Sequence, residues 1–264
     1  MTDLVTIERV GAVADVRLNR PDKYNALSPE MFAAITEAGE ALAQEKEVRA
    51  VVLSGNGPGF CSGLDFSSFQ RMGSGGSASS SLLDTDERPE NFAQRPAMVW
   101  KRLEVPVIGA IHGVAYGGGC QIALGTDIRI VAPDAKMSVM EIKWGLIPDM
   151  SLTQTLRDLV PLDVAKELTF TGRIFDGREA KELGFATEIS DDPHTRAMAM
   201  AQEIARKSPD AIRSGKRLFE AVWHADERTG LELEASLQKA LIGSENQKEA
   251  VMANFEKRAP EFKD

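Results

Sequence analysis

Three consecutive glycines, Gly117-Gly118-Gly119, follow the apolar run Ile108-Gly109-Ala110-Ile111-His112-Gly113-Val114-Ala115-Tyr116 and open the segment Cys120-Gln121-Ile122-Ala123-Leu124. A β-branched run, a glycine cluster and an Ala/Leu-bearing stretch read as buried strand, tight turn and helix start. With no Cβ at the turn, a ligand oxygen can approach the free N–H groups of the first helical turn. Taken alone, the same glycines serve equally well as a turn used only for packing. A second loop, Phe60-Cys61-Ser62-Gly63-Leu64-Asp65, again sets a glycine beside a potentially free backbone N–H. Two such donors aimed at one carbonyl oxygen make an oxyanion hole, in which losing one donor costs about 3 kcal/mol of transition-state stabilisation. The chemistry such a pair serves is the stabilisation of an enolate.

Competing chemistries find less support. No Lys-Ser/Thr pair follows the glycines, and the interval from Gly113 to Gly119 does not have dinucleotide spacing. The only histidines are His112, His194 and His224, without a His-Glu-x-x-His or Gly-x-Ser-x-Gly pattern, so neither a metal site nor a Ser-His-Asp mechanism is expected. His112 reads as a hydrogen-bonded loop residue. Cys61 and Cys120 form no Cys-x-x-Cys pair and read as small buried fillers.

The elements that must carry these loops alternate between strand and helix. Residues 4–10 and 12–18 form a hairpin about Gly11, the second strand alternating Ala12, Ala14, Val16 and Leu18 against Val13, Asp15 and Arg17. Ser28-Pro29-Glu30 reads as N-cap, Pro at the first helical position and an acid in the first turn, for a helix running to about residue 45. Ala50-Val51-Val52-Leu53 suits a buried parallel strand, and Ile128 to Val131 and Met137 to Val139 are further strands. The repeated order predicts a parallel sheet with right-handed crossovers. Helical patterns fill the chain from Ser151, including residues 176–183, 193–207 and 209–225, and the last helix begins with Ser244 and Gln247 in capping-box register. Residues 71–96 carry Gly73, Gly75, Gly76 and a run of serines, too little apolar surface to order alone, and are expected to be mobile and able to fold over a ligand.

The 264 residues, 43% hydrophobic and 27% charged, have an ordinary globular composition. A net charge of -9 argues against sequence-independent nucleic-acid binding. No stretch of 18 apolar residues and no basic leader is present, so no membrane insertion and a cytoplasmic location are expected.

Asn19-Arg20-Pro21 with Asn25-Ala26-Leu27, Phe60-Cys61-Ser62-Gly63-Leu64-Asp65, Gly113 with Gly117-Gly118-Gly119-Cys120, Asp127, Glu141, Gly145-Leu146-Ile147-Pro148 and Thr171-Gly172-Arg173 together resemble the crotonase superfamily of enoyl-CoA hydratases and isomerases. The resemblance covers essentially the whole chain. It implies an α/β fold, a spiral of ββα units over residues 1–195, followed by a C-terminal helical trimerisation region over 196–264. It further implies a homotrimer or dimer of trimers and an acyl-CoA thioester as substrate. Coenzyme A is then part of the substrate, and neither a separate cofactor nor a metal is expected.

The resemblance also assigns residues. The two oxyanion-hole donors map to the N–H groups of Leu64 and Gly118, the second at a helix N-terminus where the dipole assists. Hydratases of the family carry glutamates at the positions of residues 121 and 141; this chain has Gln121 and Glu141. A carboxamide can hydrogen-bond a water but cannot take its proton. Glu141 is therefore the expected base, with Gln121 orienting a water, the substrate or Glu141. Asp149 falls where dienoyl-CoA isomerases of the family have an additional aspartate, although those enzymes have Asp where this chain has Gln121. Asp149 is also readable as a solvated loop acid or helix cap. Backbone around Lys23, Tyr24 and Ala26 is expected to hold the adenine and pantetheine portion of CoA, with Lys257 as a phosphate contact.

The reading is an enzyme that shifts a double bond in enoyl- or dienoyl-CoA through an enolate. Its rivals are hydration of 2-trans-enoyl-CoA by Glu141 with Gln121 holding water, and a non-catalytic acyl-CoA binder.

Overall fold

A computed structural model describes residues 3–65, 83 and 87–264. The expected mobile stretch lies outside the described residues as far as residue 86, Leu83 excepted. Its far end departs from that expectation: Ala93 is buried, and helix α2 (Arg95–Arg102) begins inside the stretch with Pro96 and Ala97 buried.

The hairpin forms as its residues dictate, β1 (Val5–Val10) antiparallel to β2 (Val13–Leu18) about Gly11 at φ +62°. The one-sided alternation expected for β2 does not hold, because Val13 and Asp15 are as buried as Ala14 and Val16. The cause is position: β2 lies between β1 and β3 (Ala50–Gly55), with helices over both faces of the sheet. Asp15 is accommodated there by Arg17 and by His194, whose Nε2 stands 3.0 Å from its carboxylate. Ser28 Oγ accepts from Met31 N, and α1 (Pro29–Leu42) ends three residues before the expected boundary.

Parallel pairing continues through β4 (Val107–Ile111), β6 (Ile128–Val131) and β9 (Glu188–Ile189), giving a six-stranded sheet in the order β1-β2-β3-β4-β6-β9. A second sheet joins β5 (Val114–Tyr116), β7 (Lys136–Ser138) and β8 (Phe175–Asp176) in the order β5-β7-β8. Successive turns of the chain therefore place one strand in the large sheet and the next in the small one: β4 then β5, β6 then β7. The stretch 108–116 is accordingly two strands, broken at Gly113 (φ +59°), where a Cβ would stand 2.0 Å from the Pro58 carbonyl oxygen.

Beyond β5 come α3 (Gly118–Leu124), a 3-10 turn (Glu141–Trp144), α4 (Leu152–Thr155), α5 (Leu162–Thr171) and α6 (Gly177–Leu183). Helix α7 (Pro193–Ala205) crosses the 195/196 boundary and sets Ala197 and Ala201, both without exposed surface, on β3 and β4. Helix α8 (Pro209–Val222) is tied to the sheet by Lys216, whose Nζ donates to Asp127 Oδ2 at 2.7 Å and to the Val105 carbonyl at 3.1 Å. Asp127 also accepts from Val107 N, so this motif residue anchors a helix to the start of β4. Helices α9 (Glu227–Leu241) and α10 (Glu245–Glu256) complete the chain. Ser244 caps α10 as expected, but the Gln247 side chain reaches back to Gly243 N rather than to Ser244 N. Among the described residues no helix is long and apolar enough to cross a membrane.

Candidate active site

The two glycine-bearing loops meet because one of them behaves as a strand of the small sheet. Cys61 bridges Ala115 in parallel, with Cys61 N donating to Val114 O and Tyr116 N to Cys61 O, both at 3.0 Å. Leu64 and Gly118 each lie three residues beyond this bridged pair, and the two segments stay close, a Cβ built on Gly63 standing 3.6 Å from Gly118 N. Leu27 pairs with Leu64 on the other side: Leu27 N donates to Gly63 O and Asp65 N to Leu27 O. Both neighbours of Leu64 are thus spent on this pairing. Among the described residues, neither Leu64 N–H nor Gly118 N–H has an acceptor.

Each glycine here has a steric reason. Gly117 (φ +51°, ψ -121°) occupies backbone space closed to L side chains, and a Cβ on it would stand 3.2 Å from Glu141 Oε1. A Cβ on Gly119 would meet the Cys61 carbonyl oxygen at 2.3 Å, and one on Gly63 would lie 2.6 Å from Tyr116 O and 3.6 Å from Gly118 N. Packing and access to the backbone are therefore served by the same residues, and the two readings of the glycine triplet do not compete.

Glu141 opens the 3-10 turn and is 9% exposed. Its Oε1 accepts from Gln121 Nε2 at 2.6 Å, and the Gln121 Oε1 accepts from Met150 N at 2.9 Å. Gln121, one turn into α3, has no exposed surface. Its amide ties the acid to the backbone that follows Asp149. Glu141 Oε2 is buried with no hydrogen-bond partner among the described residues. Burial pushes the Glu141 carboxyl above the usual range; its own backbone N–H and the Gln121 amide pull it down, and the Asp149 charge adds to the rise. Asp149 keeps exposed surface, yet the atoms crowding its carboxyl thin the water around it and raise it too, against the pull of its own backbone N–H. The chain after it is held in an unusual state: Ser151 has φ +72°, a conformation that favours glycine, and Ser151 O accepts from Thr155 as α4 begins.

Leu64, Gly118, Glu141 and Asp149 all line one cavity of about 390 Å³, within the range of small-ligand sites. Its remaining wall is mostly apolar: Phe32 from α1, Ala93, Met140, Trp144, Leu146 and Met150, with Leu83. Motif reasoning does not single out Phe32, Ala93 or Trp144, which reach the cavity only through tertiary packing. Lys23, Tyr24 and Ala26 are not in the wall but lie beside it, in a loop fastened to residues 61–65: Ser62 N donates to Tyr24 O at 2.9 Å, and Arg20 Nη1 donates to Ala26 O at 3.1 Å. The buried Asn25 amide extends this stitching to Gly59 O and Phe60 O. Lys257, at the C-terminal cap of α10, lines a separate groove with Arg206, Lys207 and Arg258. Within one chain the structure does not bring Lys257 to the cavity of Glu141.

His112 Nε2 lies 2.9 Å from Gly57 O, and Cys61 and Cys120 are buried free thiols. Among the described residues no cluster of three His, Cys, Asp or Glu side chains is placed to hold a metal ion.

Comparison with known proteins gives one answer over the whole length. Residues 8–264 match the Enoyl-CoA hydratase/isomerase family. The mitochondrial methylglutaconyl-CoA hydratase of Homo sapiens is 32% identical over 256 residues, covering 93% of this chain and 72% of that protein. The peroxisomal Delta(3,5)-Delta(2,4)-dienoyl-CoA isomerase of Arabidopsis thaliana is 32% identical over 251 residues, 93% of this chain and 90% of that protein. An enoyl-CoA hydratase crystal structure from Bacillus anthracis superposes with a TM-score of 0.90 at 29% identity, covering 98% of this chain and 99% of the other.

Proposed function

The chain belongs to the enoyl-CoA hydratase/isomerase family, enzymes acting on CoA thioesters, and from that premise we propose that it moves a carbon–carbon double bond in an enoyl- or dienoyl-CoA. In this reading Glu141 Oε2 removes a proton from the carbon next to the thioester carbonyl. The electron pair moves into the carbonyl, and the N–H groups of Leu64 and Gly118 hold the resulting oxyanion. A proton then returns to the far end of the conjugated system. For a 3-enoyl substrate Glu141 itself carries it to C4; for a 3,5-dienoyl substrate Asp149, in its protonated form, delivers a proton at C6. No water is consumed, and the product is the conjugated thioester.

The observation that carries this reading is the engagement of Gln121 at both ends. Its Nε2 is spent on Glu141 and its Oε1 on Met150 N. A buried, neutral side chain so fixed supplies no second base for activating water. The test is incubation of the protein with 3-enoyl-CoA and with 3,5-dienoyl-CoA in deuterated water, followed by mass spectrometry. Formation of the conjugated thioester, resolved from its isomer by chromatography, supports the reading, with the substrate's own hydrogen kept at C4 of the enoyl product and solvent deuterium entering at C6 of the dienoyl product; tight binding without turnover of either would leave an acyl-CoA binder.

Assembly into a homotrimer or a dimer of trimers is part of the same proposal. Helix α9 buries no residue within one chain, and Phe219, Trp223 and Phe255 are 60%, 65% and 80% exposed. Apolar surface of that kind is a mark of an interface. The mass in solution, by light scattering, tests it.

A further inference from the structure

Resting on the cavity being the acyl-CoA site, we propose that it takes an uncharged, apolar acyl chain and rejects one that ends in a carboxylate. The wall around the reacting end is built from Phe32, Ala93, Met140, Trp144 and Leu146, and its only ionisable side chains among the described residues are two acids, Glu141 and Asp149. No lysine or arginine is among the described lining residues. Three described cations nearby in sequence are turned to other partners: Lys143 sits over the Trp144 ring, 5.4 Å from its centroid, Arg20 pairs with Asp65, and Arg88 pairs with Glu40.

A carboxylate carried into this space loses its hydration and finds no cation among the described lining residues to replace it. It also meets Glu141 and Asp149, whose carboxyls already resist ionisation in the same enclosure. Capping the tail as a methyl ester restores neutrality while keeping the length. Selectivity therefore follows charge rather than size.

The experiment uses saturated thioesters, which cannot undergo bond migration, so that it reads tail recognition alone. Binding of hexanoyl-CoA, of the CoA thioester of hexanedioic acid and of its monomethyl ester is measured by titration calorimetry on the full-length protein. Hexanoyl-CoA and the ester are expected to bind within about threefold of each other, and the free acid at least about tenfold more weakly. A free acid that binds within threefold of the ester overturns the proposal. If none of the three binds, the acyl-CoA reading falls and the proposal with it. If tail discrimination holds but no unsaturated substrate is isomerised, only the assigned reaction fails.

Discussion

Gln121 Nε2 lies 2.6 Å from Glu141 Oε1, and this contact makes the two oxygens of the acid unlike. The bond occupies Oε1 and leaves Oε2 buried without a hydrogen-bond partner among the described residues. Because the other end of the amide accepts from Met150 N, the acid and the chain carrying Asp149 are held by one neutral side chain. A proton carrier with one engaged and one unpartnered oxygen suits a single-base transfer better than the shared work of two carboxylates.

Replacing Gln121→Glu keeps an oxygen for Met150 N–H but presses a second carboxylate against Glu141. At that separation the two acids share a proton and titrate as a pair. Hydration of 2-trans-enoyl-CoA is expected to appear or to rise at least about tenfold, with a pH profile displaced upward relative to the parent. Product analysis across pH checks both. An unchanged hydration rate in a correctly folded variant contradicts the role assigned to position 121.

Glu141→Gln should abolish proton transfer, lowering kcat by about 10² to 10⁴. Its effect on stability has the opposite sign. The folded-state pKa of Glu141 is raised, so its neutral form is the stable one: that contribution is fully present below about pH 4.5 and is lost as pH rises through the folded value. The variant stays neutral throughout. Thermal unfolding should show its Tm gaining on the parent between pH 4.5 and pH 8, whereas a Tm difference that is flat with pH would show that the carboxyl is not held above its ordinary range.

Gly63→Ala places a Cβ 2.6 Å from Tyr116 O at φ +85°. The loop must shift, and Leu64 N–H shifts with it. A loss of about 1–3 kcal/mol in stability is expected, with kcat/KM falling by about 10². Gly11→Ala is the control: its φ is +62° but no atom lies within 4 Å of the added carbon. That change should cost about 1 kcal/mol and leave activity intact. Equal activity losses in the two variants would separate the Leu64 donor from catalysis.

The features legible in the sequence were those decided locally. Ser28 and Pro29 start a helix by their own hydrogen bonding and φ, Gly11 turns a hairpin, and the glycines at 117–119 mark a strand-to-helix turn wherever they occur. What depended on distant neighbours was not legible. The polar and apolar alternation of β2 promises one wet face, but Asp15 is covered and satisfied by His194, nearly the whole spiral away in sequence. The run 108–116 looks like one strand because nothing local says that Pro58 crowds Gly113 and that the chain changes sheets there.

The site divides in the same way. The family resemblance pointed to Glu141, Asp149, Leu64 and Gly118, and the cavity gathers all four. The bond from Gln121 to Met150 N joins residues 29 apart, and no pattern of side chains encodes a backbone donor. Phe32 faces the cavity from a helix whose other apolar positions fill the core, so periodicity cannot distinguish it. Lys257 carries the right charge, but charge carries no address, and within one chain it lies in another groove.

The claim that this chain moves a double bond and does not add water is tested most directly by comparing two substrates in one preparation. 2-trans-Enoyl-CoA and 3-enoyl-CoA of equal chain length are incubated with the protein, the isomers and the hydrated product are separated by chromatography, and initial rates are taken from the amount of each. The account predicts migration of the 3-enoyl bond at least about tenfold faster than any gain of one water by the 2-trans substrate. Water addition to 2-trans-enoyl-CoA at a rate equal to or above that of migration would contradict it.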